Sequence, residues 1–100
     1  VAIVGDGRLI GLVKPQFEAG KGRVGKGGVI RDPSLHSSIL KDVIDGADQL
    51  GFGLSGILCS PILGQKGNRE FLVNWRPGPS ALTPEQKETQ IKEAVWHEIN

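Results

Sequence analysis

Lys14 and Glu70 are the two side chains best placed by type and position to do chemistry together. Lys14 follows the apolar run Leu9-Ile10-Gly11-Leu12-Val13, and Glu70 opens the run Glu70-Phe71-Leu72-Val73-Asn74-Trp75. If both runs are strands lying antiparallel, the C-terminal end of the first meets the N-terminal end of the second. The lysine and the glutamate then share one sheet edge, although they are far apart in the chain. Ligands of open α/β sheets gather outside the carboxyl ends of the strands, so a Lys–Glu pair there can serve a reaction. On a solvated surface the same pair is an ordinary ion pair worth about 0–1 kcal/mol.

A second candidate is the glycine-rich segment between them. Gly20-Lys21-Gly22-Arg23-Val24-Gly25-Lys26 has the spacing of a phosphate-binding loop, G-x-x-x-x-G-K. The next residue is Gly27, where Ser or Thr is needed to hold magnesium, and no helix begins there. The segment is better read as a long loop, either simply mobile or able to track a nucleic-acid backbone. Between Lys14 and Asp32, five basic residues (Lys14, Lys21, Arg23, Lys26, Arg31) face Glu18 and Asp32, a local net charge of +3. Other reactive types are isolated. His36 and His97 fall on separate helices without metal-ligand spacing, so no metal site is expected. Ser60 lacks the context of an activated nucleophile. Trp75 and Trp96 read as packing residues, and Phe17 as either buried or available to stack on a base.

The elements that must position these groups follow from patterning. Leu9–Val13 is nearly continuous in apolar residues, as in a strand buried on both faces, and Pro15 ends it. Asp32-Pro33 is an N-cap followed by a first-turn proline. Leu35, Ile39, Val43, Ala47 and Leu50 then recur at three- and four-residue spacing, which predicts a helix over about 33–50 closed by Gly51. Residues 52–60 read as a second strand and 70–75 as a third. Residues 61–69 form a short loop, and 77–80 a turn or linker. Thr83-Pro84-Glu85-Gln86 is a capping box opening a last helix over about 84–99, with Ile91, Ala94, Val95 and Ile99 on its apolar face. Strand, helix, strand, antiparallel strand, helix is the order expected of the C-terminal half of a doubly wound α/β sheet.

Composition narrows the classes. One hundred residues, 38% hydrophobic and 23% charged, suit a single small soluble domain. A net charge of +1 gives no global field for nucleic acid, so any such role must rest on the local basic stretch. The lone Cys59, in an apolar run, points to a buried thiol and a reducing, cytoplasmic setting. No apolar run approaches the roughly 20 residues of a membrane span. The chain begins at Val1 rather than Met, and a larger protein with further sequence upstream is the expectation.

The run Leu12-Val13-Lys14-Pro15-Gln16-Phe17-Glu18-Ala19-Gly20, followed by Val24-Gly25-Lys26-Gly27-Gly28-Val29-Ile30-Arg31-Asp32-Pro33, closely resembles the hemolysin A (TlyA) family. Ser60-Pro61-Ile62, then Gly64, Lys66-Gly67-Asn68 and Glu70-Phe71-Leu72, resemble it in the same order. Members are FtsJ-like RNA 2′-O-ribose methyltransferases that use S-adenosylmethionine. The resemblance implies a Rossmann-like methyltransferase sheet, of which residues 1–76 are the C-terminal half and 77–100 a linker and C-terminal helix. It also implies a Lys-Asp-Lys-Glu catalytic site in which Lys14 is the second lysine and Glu70 the glutamate. The first lysine, the aspartate and the donor-binding loop would lie upstream, leaving no cofactor-binding residue here and an inactive fragment. Lys21, Arg23, Lys26, Arg31, Lys66 and Asn68 are the residues expected to meet RNA.

Methyl transfer to a ribose hydroxyl chiefly requires alignment of donor and acceptor and stabilisation of developing charge on oxygen. A carboxylate partner favours the ammonium form of lysine, so Lys14 is expected to orient and stabilise rather than remove the proton. The expected function is therefore part of an rRNA (cytidine) 2′-O-methyltransferase, acting on ribosomal RNA or a ribosomal subunit. Exposed sheet edges would also allow homo-oligomers. The competing readings are a non-catalytic RNA- or ribosome-binding module and a membrane-active hemolysin, the latter unsupported by any basic amphipathic or spanning segment.

Overall fold

The computed structural model describes residues 2–3, 7–18 and 28–97. A four-stranded sheet has the spatial order β1-β2-β4-β3, built from β1 (Ala2–Ile3), β2 (Leu9–Val13), β3 (Phe52–Cys59) and β4 (Phe71–Pro77). β4 is antiparallel to both β2 and β3, so β2 and β3, joined through a helix, run in the same direction. The last strand of the chain is thus inserted between two earlier ones. One short turn, α1 (Pro15–Glu18), follows β2, and two long helices, α2 (Pro33–Gln49) and α3 (Pro84–His97), complete the fold.

The helix ends are built as the sequence predicts. Asp32 Oδ1 accepts the Ser34 N–H at 2.9 Å, and Pro33 occupies the first turn of α2. Gly51 has φ of 90° just beyond the helix, a conformation that costs glycine little. The capping box of α3 is reciprocal: Gln86 N–H donates to Thr83 Oγ1 at 3.1 Å and Thr83 N–H to Gln86 Oε1 at 2.9 Å.

Both long helices lie over the same face of the sheet. They contact each other and β3, and Ile39, Leu40 and Ile44 of α2 join Ile91, Ala94 and Val95 of α3 around Phe71, Val73 and Trp75. The alternation of β4, with Phe71, Val73 and Trp75 buried, sends those three side chains into this core. β3 needs an irregularity to do the same. The register shift between Leu54 and Gly56 lets Leu54 and Ile57, three residues apart, face the helices together.

Two expectations change here. β2 is not buried on both faces, because Val13 is buried whereas Leu12 is exposed. The described helices cover only one side, and the register row Leu12–Leu72–Leu58 lies on the other. The Cys59 thiol is half-buried rather than enclosed, since β3 ends beside open loop.

Candidate active site

Antiparallel pairing of Val13 with Phe71 ends the β2–β4 ladder, so Lys14 and Glu70 leave their strands at the same edge. β3 ends there too, and the Ser60 N–H continues its ladder by donating to the Glu70 carbonyl at 2.8 Å. Three chain crossings therefore meet within one step of the catalytic pair expected from sequence. Lys14 is half-buried, and its carbonyl accepts the N–H groups of Phe17 and Glu18 at 2.9 and 3.1 Å, which nucleates α1. Its ammonium stands 5.7 Å from the centre of the Phe17 ring, within cation–π range. The ring itself is 63% exposed, so the burial alternative for Phe17 is not realised.

Glu70 is enclosed, with only 5% exposure. A carboxylate so placed needs donors, and Gln16 supplies one: its Nε2 donates to Glu70 Oε2 at 3.0 Å. The carboxylate also rests directly against Gly64, where any Cβ would overlap it. Neither contact was legible beforehand. Gln16 lies on a short turn just past the strand end that Pro15 predicts, and nothing in the order of residues announces that Gly64 faces Glu70.

The candidate RNA-binding residues divide. Lys21, Arg23 and Lys26 lie outside the described residues. Arg31 and Lys66 are exposed, and the Lys66 ammonium reaches to within 3.0 Å of where a Gly28 Cβ would stand. Asn68 differs from expectation. It is 1% exposed, its Oδ1 accepts the Ile30 N–H at 3.0 Å and its Nδ2 donates to the Gly28 carbonyl at 2.9 Å. Its amide is spent on the backbone where the glycine-rich segment ends. His36 works beside it: the buried ring donates from Nε2 to the Ile30 carbonyl at 3.0 Å and meets Phe71 edge-on at 5.6 Å. His36 is thus a core residue that ties this segment to β4. Among the described residues, no group of three or more His, Cys, Asp and Glu side chains gathers to hold a metal.

Trp75 packs in the core as expected, whereas Trp96 is 44% exposed and lines a groove of about 710 Å³ between α2 and α3. Lys41, Lys87 and Ser37 line the same groove; Lys14, Gln16 and Glu70 do not. At the sheet edge the described residues pack on one another.

The chain is 44% identical over 86 residues to "Putative rRNA methyltransferase YqxC" of Bacillus subtilis (strain 168), covering 84% of this chain and 30% of that protein. It is also 44% identical over 68 residues to the 16S/23S rRNA (cytidine-2′-O)-methyltransferase TlyA of Mycobacterium tuberculosis (strain ATCC 25618 / H37Rv), covering 68% of this chain and 25% of the relative. A solved structure described as "Putative hemolysin from Streptococcus thermophilus" superposes with a TM-score of 0.80 at 37% identity, over 94% of this chain and 33% of that one. The chain thus spans no more than about a third of the length of these proteins. Residues 3–76 match the family described as FtsJ-like methyltransferase, which takes in the sheet, α2 and the shared Lys14–Glu70 edge, and the chain belongs to that family.

Proposed function

We propose that this chain is the C-terminal part of the catalytic domain of an S-adenosylmethionine-dependent rRNA (cytidine) 2′-O-ribose methyltransferase. Lys14 and Glu70 are the second lysine and the glutamate of its Lys-Asp-Lys-Glu site. The observation that carries this reading is the Val13–Phe71 register, which brings the two residues to one strand edge in a chain of this family. The rRNA methyltransferase relatives, nearly three times as long, support both the substrate class and the assignment of this chain to a part.

In this reading the ribose of the target nucleotide lies over the edge, with its 2′-oxygen beside the Lys14 ammonium. A fixed cation there stabilises the negative charge that grows on oxygen as the O–H bond weakens, and does so without reorganising at the moment of reaction. Glu70, buried and hydrogen-bonded by Gln16, stands at the same edge. Arg31 and Lys66, together with Lys21, Arg23 and Lys26, hold the RNA backbone by charge. Asn68, with its amide engaged, supports that surface from beneath. The donor, bound by residues outside this chain, supplies the methyl group. The chain alone is therefore inactive. β1 and β3 are the outer strands of the described sheet, and a homo-oligomer would form through them. A cytoplasmic location follows from the ribosomal substrate.

The test is methyl transfer by the full-length protein. It is incubated with ribosomal subunits and labelled donor, and the label is mapped by its block to alkaline cleavage. Label on a ribose 2′-oxygen of cytidine is expected. RNA binding without transfer would favour a non-catalytic binding module instead. Leakage of lipid vesicles would favour a hemolysin, although no described helix is long and apolar enough to cross a membrane.

A further inference from the structure

Glu70 is shaped by a residue to which none of the motifs above assigns a role. Gln16 lies two positions beyond Lys14 on α1, and only 8% of it is exposed. Its Nε2 donates to Glu70 Oε2 at 3.0 Å. Its other end, Oε1, is buried without a hydrogen-bond partner among the described residues. The orientation of this amide is not ambiguous, because turning it over would set one oxygen against another. Gln16 thus leaves its own acceptor unsatisfied in order to keep its donor on the carboxylate. A Cβ at Gly64 would overlap the same carboxylate, nearest to Oε2, so the carboxylate has little room to turn past that glycine.

We infer that Gln16 is a positioning residue, which fixes the direction of the Glu70 carboxylate at the edge it shares with Lys14. Resting on the functional reading above, this extends the site from a pair to a three-residue unit. Lys14 and Gln16 are offered by the same turn, so one short segment carries both the cation and the clamp for its partner. That explains why a four-residue helix follows β2 directly. Pro15, also buried, fixes the backbone between them, and the Lys14 carbonyl caps the turn.

The experiment uses the full-length methyltransferase with Gln16→Met, which keeps the length and volume but donates nothing, and Gln16→Glu, which sets a second carboxylate against the first. Turnover, rRNA affinity, donor affinity and thermal midpoint are measured together. A kcat lowered about 10- to 100-fold is expected, the scale of a misplaced catalytic group, with both affinities unchanged. A side chain that merely filled space would be replaced by Met without loss. A folded Gln16→Met variant with wild-type kcat overturns the inference while leaving the functional reading intact. An unsubstituted enzyme that transfers no methyl group overturns both. Should the variants fail to fold, hydrogen exchange of the Gln16 side-chain amide in the unsubstituted protein decides. Exchange much slower than at exposed Gln49 is expected, and equal rates would overturn the inference.

Discussion

Asn68 carries Ile30: its side-chain oxygen accepts the Ile30 N–H at 3.0 Å while its side-chain nitrogen donates to the Gly28 carbonyl at 2.9 Å. A residue of the 61–69 connection thereby fixes the backbone where the basic, glycine-rich segment joins α2. Because Asn68 lies two residues before Glu70, the same connection sets both the end of that segment and the buried carboxylate.

Replacing Asn68 with Ala should therefore cost stability before it costs chemistry. The Ile30 N–H would be left buried without its acceptor, a loss of about 1–3 kcal/mol. Asn68→Asp keeps the acceptor for Ile30 but sets a carboxylate oxygen against the Gly28 carbonyl in a buried site, so its loss should be at least as large. Thermal melting of the two variants against wild type checks the order.

Gly64→Ala should act on the carboxylate directly. The new methyl group overlaps Glu70, so either the 61–69 connection or the carboxylate must shift. Overpacking of this kind costs about 1–3 kcal/mol. A fall in kcat with unchanged rRNA affinity, read from steady-state kinetics and filter binding, is the expected result in the full-length enzyme.

Arg31 and Lys66 are the described cations assigned to the RNA backbone. Each phosphate contact removed should flatten the log–log salt dependence of RNA binding by about 0.7–0.9. The Arg31→Ala, Lys66→Ala double variant should bind rRNA more weakly and with a shallower slope at every salt concentration tested. Donor affinity should not change.

The 100-residue chain by itself should show no heat of binding on calorimetric titration with S-adenosylmethionine, since the proposed function places the donor-binding residues outside this chain. Micromolar affinity would move the donor site into this chain.

Much of the frame was legible because its signals are local. Asp32-Pro33, Gly51 and the Thr83–Gln86 box mark helix ends through groups that bond within a few residues, and all three act as expected. The antiparallel return of β4 was legible from the short connection after β3. What escaped depends on long-range approach. The exposure of Leu12 depends on which face of the sheet the helices cover, and an apolar run cannot state that. The shift in β3 lies beside Ser55, where the sequence shows only an alternation gone out of phase. The shared edge of Lys14 and Glu70 could be anticipated from strand order, whereas Gln16 enters the site through a contact across 54 residues of chain and Gly64 through the folding of its own connection back onto Glu70. Asn68 has the look of a surface loop residue until the carbonyl and N–H that it satisfies are seen.

The central claim is that Lys14 and Glu70 act as one unit on a ribose hydroxyl. It is tested most directly by single-turnover methyl transfer from labelled S-adenosylmethionine to rRNA by the full-length enzyme carrying Lys14→Ala, Glu70→Gln or both. Each single variant should lose roughly 10²–10³-fold in rate, the scale of removing one preorganised charge-stabilising group. The double variant should lose little more than either, because residues of one unit are non-additive. Lys14→Ala should leave the thermal midpoint nearly unchanged, since the side chain stands half-buried at a strand end. A Lys14→Ala enzyme that transfers methyl groups at close to the wild-type rate would contradict the account.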